Sequence, residues 1–116
     1  MARISVQIEW PEGLRELPEL ARGWITIQDT TMADAPAVVI AETTIDNLSP
    51  DRPVTAEIEV GEVDLRADLT VRVHVARSGQ RTGTVGVGDL ISTQSHPVLT
   101  QGHGNFVVVP LRVVGS

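Results

Sequence analysis

Apolar and polar residues alternate along most of this chain with a period of two. Ile4, Val6, Ile8 and Trp10 are interleaved with Ser5, Gln7 and Glu9, and Val54, Ala56, Ile58 and Val60 with Thr55, Glu57 and Glu59. Leu69, Val71, Val73 and Val75 are interleaved with Thr70, Arg72, His74 and Ala76. Near the end, Val107, Val109, Leu111 and Val113 form one set, opposed by Phe106, Val108, Pro110, Arg112 and Val114. Successive side chains of a strand point to opposite faces, so each run predicts a strand with one face buried. Two further strands are expected at Trp24 to Gln28 and at Ala37 to Ile45. The second is apolar on both faces through its first half, which predicts a central strand covered on both sides. A seventh strand is expected within Thr84 to Thr93.

Turn-forming residues separate these runs. Asn47 to Pro53 (NLSPDRP) and Arg77 to Gly83 (RSGQRTG) are rich in Gly, Pro, Asn, Asp and Ser, and the charged stretch Gly61 to Asp68 reads as a third connection. Short strands at regular spacing predict an all-β domain, an antiparallel β-sandwich of about seven strands. Pro110 has no backbone N–H, which places the last strand at an edge or on a bulge. Leu14, Leu17 and Leu20 have helical spacing, but Pro18 would interrupt a helix, so an extended crossing is expected between the first two strands.

At 116 residues the chain corresponds to one domain spanning 1–116. With no cysteine, it can form neither disulfides nor thiolate metal sites. Net charge is −6, the nine basic residues are all arginines scattered singly, and the aromatics are only Trp10, Trp24 and Phe106. Nucleic-acid and anionic-membrane partners are therefore not expected, since both call for a basic patch. The longest apolar run, Ala37 to Ala41, is far shorter than a membrane helix. As written, the chain is expected to be soluble and cytoplasmic, without a signal peptide.

The candidate chemistry is sparse. His96 and His103 lie seven residues apart, with His74 or Asp89 needed to complete a metal set, and zinc demands three or four ligands. The alternative gives His96 the extended position before Pro97 and His103 a turn between Gly102 and Gly104. Gly83, Gly86 and Gly88 run in the reverse order of a dinucleotide fingerprint, with no helix after them, so no nucleotide site is expected. Asp29, Thr30, Thr31 and Asp34 form an oxygen-rich turn without calcium-loop spacing, better read as turn formers. Ser92, Ser95, His96 and Asp89 supply hydrolase residue types, but neighbours on one strand do not converge into a triad. Glu57 and Glu59 share a solvent-facing side and read as a solubilising edge. No catalytic residue, cofactor or enzyme activity is expected.

The segments Ile25 to Pro36 (ITIQDTTMADAP) and Pro97 to Gly102 (PVLTQG), in their order among the strands, make the chain resemble the YbaY-type family of small bacterial lipoproteins. That family is grouped with the type III secretion lipoprotein chaperones of the YscW type. The resemblance covers about Ile4 to Val114. It implies a β-sandwich with no catalytic residues, acting as a chaperone-like or adaptor module on a protein partner. Members typically carry a signal peptide and a lipid-bearing cysteine as outer-membrane or periplasmic lipoproteins, and neither feature is in the sequence as given. The alternatives are a self-associating homodimer through Phe106, Val108 and Val114, and a metal- or small-molecule-binding protein centred on His74, His96 and His103.

Overall fold

The computed structural model describes residues 2–14, 17, 21–32, 34–46, 48–64, 66–77, 88–93, 96–100, 102 and 104–115. Within these residues the chain forms eight strands: β1 (Ala2–Glu9), β2 (Arg22–Asp29), β3 (Val38–Ile45), β4 (Val54–Val60), β5 (Leu69–Ala76), β6 (Leu90–Ser92), β7 (His96–Pro97) and β8 (Phe106–Val113). Each predicted alternating run is a strand whose inward set is the core. Ile4, Val6, Ile8, Ile58, Val60, Leu69, Val71, Val73, Val75, Val109 and Leu111 are buried with Ile25, Ile27, Leu90 and Val98 in one cluster. Leu14 and Leu17 of the first connection pack against that cluster, but the remainder of the predicted crossing lies largely outside the described residues.

The strands form a single sheet in the order β3-β2-β5-β6-β8-β1-β4, with β7 also paired to β5. The end strands β3 and β4 lie against each other without a hydrogen-bonded ladder among the described residues. The expected sandwich of two sheets is therefore corrected to one sheet curled into a nearly closed barrel. Period-two alternation reports one buried face per strand, and a barrel and a sandwich satisfy it equally. Nor is the sheet wholly antiparallel: β1 runs parallel to β8, with Ser5 opposite Phe106 and Glu9 opposite Pro110.

Pro110 also differs from expectation, because β8 is not an edge strand. Its first half, to Pro110, pairs with β1 on one side, and Leu111 to Val113 pair with β6 on the other. The missing N–H falls at this hand-over, beyond the last β6 pair, and costs no ladder bond there.

β6 and β7 run consecutively along β5 with an interruption. His74 opposes Ile91 and Val71 opposes His96, so the register between β5 and this segment shifts by two residues from one pair to the other. The amide of Val73, stranded at this mismatch, donates instead to the Ser92 hydroxyl oxygen at 3.0 Å. A side chain thus supplies the acceptor that the shifted backbone does not.

Candidate partner-binding edge and the polar clusters

The most unusual surface lies on β3. Expected to be central because it is apolar on both faces, it is the end strand of the sheet, and Val38, Val39 and Ile40 are 61%, 50% and 39% exposed. Continuous apolarity is the signature of burial on both sides, and equally of a surface reserved for contact. The local cause is a bulge. Ala41 opposes Ile27 and Val39 opposes Gln28, so Ile40 has no cross-strand partner and the alternation of faces breaks there. Met32, in the preceding connection, is 66% exposed as well.

The other end strand is guarded differently. Glu57 and Glu59 of β4 face solvent, and Arg3 of β1 reaches both, at 3.4 and 2.8 Å. Charged outward side chains protect a free strand edge from unwanted pairing. The first half of β3 carries no such charge.

Between Ile40 of β3 and Val60 of β4 the barrel wall opens into a cavity of about 180 Å³. Val63, Ala67 and Leu69 supply further apolar lining, and Asp29, Glu62 and Asp64 line it with carboxylates. The rim is braced. Asp29 accepts from both the backbone N–H and the hydroxyl of Thr31, bonds that hold its carboxyl below the ordinary aspartate range. Thr31 in turn accepts from the Asp68 amide at 2.9 Å, and Thr30 donates to the Asp68 carbonyl. The oxygen-rich segment around Asp29 therefore acts as a turn former, stitching the end of β2 to the start of β5. Asp34 lies exposed beyond these bonds.

The predicted histidines separate. His74, on the outer face of β5, bonds through Nε2 to Asp89 at 3.0 Å and tilts against the Trp24 ring, the centroids 6.0 Å apart. Asp89 also accepts from the Arg77 amide at 3.1 Å, so it ties the two ends of the β5–β6 connection. His96 instead sits opposite Val71 and lines a separate hollow with Thr93, Pro110 and Arg112. Its Nε2 is buried without a hydrogen-bond partner among the described residues, and burial lowers its pKa. His103 and Ser95 lie outside the described residues, as do Gly83 and Gly86. Asp89 pairs with His74, and the Ser92 oxygen accepts from the Val73 amide. His74 and Ser92 line one shallow groove of about 190 Å³ with Trp24, Gln28 and Arg72, but no nucleophile–base bond spans it among the described residues.

The sequence matches the family described as Type III secretion system lipoprotein chaperone (YscW) over residues 1–111. The chain belongs to this family. Among curated proteins no sequence match was found. Among solved structures, the fold is similar to that of an alternative pilotin from the type II secretion system of Vibrio cholerae. The TM-score is 0.75 over 99% of this chain and 98% of that one, at 19% identity. YscW-family membership points to a non-enzymatic, chaperone-type role.

The sequence-level reading missed Ile40 and the free edge of β3. The run of five apolar residues was visible, but nothing local in it reports the bulge or the position at the end of the sheet.

Proposed function

We propose that this chain is a non-enzymatic, chaperone-like module of the YbaY type within its family, which holds a subunit of a protein-secretion apparatus along the free edge of β3. The observation that carries this reading is the exposure of Val38, Val39 and Ile40 together in the first half of an end strand, where no charged residue protects it. Free strand edges accept a partner strand through backbone hydrogen bonds, with neighbouring pockets taking alternate side chains. Covering each of these side chains contributes about 1–2 kcal/mol on top of those bonds. Family membership supports a chaperone role, and the pilotin likeness supports a fold suited to it.

The test compares the proteins retained from native lysate by the wild-type chain and by Val39→Lys, with amide exchange of the bound complex. A partner held by wild type and lost by the variant, with protection over Val38–Ile45, is the expected result. Identical retention by both chains would remove β3 from the mechanism.

A second reading, self-association through the outer face of β8, is favoured by Phe106 at 57% and Val108 at 37% exposure. Light scattering over a range of concentration separates the two, since a constant monomer mass excludes the homodimer.

A further inference from the structure

The cavity beside the free edge of β3 carries information about what docks there. Its floor is apolar, formed by Ile40, Val60 and Val63 among others, whereas the charged groups lining it among the described residues are carboxylates: Asp29, Glu62 and Asp64. Among the described residues no arginine lines it. Two of these carboxylates are held in place by the backbone, Asp29 by Thr31 and Asp64 by the amide of Arg66 at 2.9 Å. Asp29 and Asp64 therefore stand at fixed positions beside the strand edge.

We propose that the segment received at β3 is an extended stretch of a protein partner in which apolar residues alternate with arginine or lysine. Its apolar side chains cover Val38, Val39 and Ile40 and enter the cavity, while its cationic side chains meet Asp29, Glu62 and Asp64. The proposal rests on the partner-binding reading above and adds the chemistry of the partner. Charge complementarity decides between occupants here. A second copy of this chain, with net charge −6, would bring the same carboxylates to the same opening and be repelled. An acidic segment would be rejected in the same way.

The test uses two short labelled synthetic peptides, one alternating valine with arginine and the other valine with glutamate, titrated against the full chain by fluorescence anisotropy. The valine–arginine peptide is expected to bind at least about tenfold more tightly at low salt, with the gap narrowing as salt screens the exposed charges. The double variant Glu62→Gln with Asp64→Asn should weaken that peptide about fivefold and leave thermal unfolding unchanged, because both side chains sit at the surface. Ile40→Asp should abolish the binding. Equal affinity for the two peptides, failure of both, or indifference to the double variant overturns the proposal. So does a dimer mass at high concentration with β3 protected, which makes a second copy the occupant. The two readings fail separately. A partner that Val39→Lys loses from lysate, alongside peptides that do not discriminate, leaves the partner-binding reading standing and removes only its cationic character. A partner retained equally by wild type and Val39→Lys removes the partner-binding reading itself.

Discussion

Replacing Ser92 by alanine isolates a single bond at the register mismatch between β5 and the β6–β7 segment. Val73 is 3% exposed and Ser92 8%, so the Val73 amide has little access to bulk water once the hydroxyl is gone. A buried donor left without its acceptor costs about 1–3 kcal/mol. The groove of about 190 Å³ flanks both residues, and a water molecule entering it would restore part of the bond. That places the expected loss in the lower half of the range, about 1–2 kcal/mol. At this chain length it corresponds to a fall in Tm of about 4–8 °C. Calorimetry gives the magnitude, and amide exchange locates it, since Val73 should lose protection before its neighbours on β5. Ser92→Thr keeps the oxygen and suits a strand, so it should recover most of the stability. Stability of Ser92→Ala within about 0.5 kcal/mol of wild type, with Val73 still protected, would refute the assignment of that amide to the hydroxyl.

Asp89→Ala removes the acceptor shared by His74 and the Arg77 amide, and should cost about 1.5–3 kcal/mol by urea unfolding, with faster exchange at Arg77. Gly88 has φ +91°, and a side chain there would also stand 3.2 Å from the Arg77 Cδ, so Gly88→Ala should lose about 1–2 kcal/mol in the same assay. Burial depresses the His96 pKa, so the unfolded chain binds its proton more readily than the folded one. Stability is then full above the unfolded value of about 6.5 and falls as pH drops from there through the lowered value; His96→Gln should flatten this slope in unfolding curves measured at several pH values.

The strands that alternate were legible because one buried face leaves a period of two in the sequence. β1, β4, β5 and β8 fall within a residue or two of the runs that predict them. Glu57 and Glu59 were legible as an edge for a similar reason, since charges at alternate positions cannot face a core. β3 misled because apolarity on both faces is common to a strand covered twice and a strand left open for contact. Closure of the sheet, and the parallel pairing of β1 with β8, depend on which strands meet, and alternation within a strand does not specify its neighbours. The bond between His74 and Asp89 joins β5 to the residue just before β6, and the pairing of His74 with Ile91 brings the carboxylate within reach. The Ser92 bond to Val73 is still less visible, because it answers a register shift that no local pattern announces.

The pairing of Ser5 with Phe106 joins positions about a hundred residues apart, giving this small domain a high contact order and a correspondingly slow search for its native state. Of the eight strands described, β1 is synthesised first and its parallel neighbour β8 last. Until then β8 can bridge neither β1 nor β6, and the wall of the barrel lacks the strand that joins its two halves. Closure of the barrel is thereby deferred until β8 has been made. Loss of β8, by premature termination or proteolysis, would leave the edges of β6 and β1 unprotected and favour aggregation over partial function.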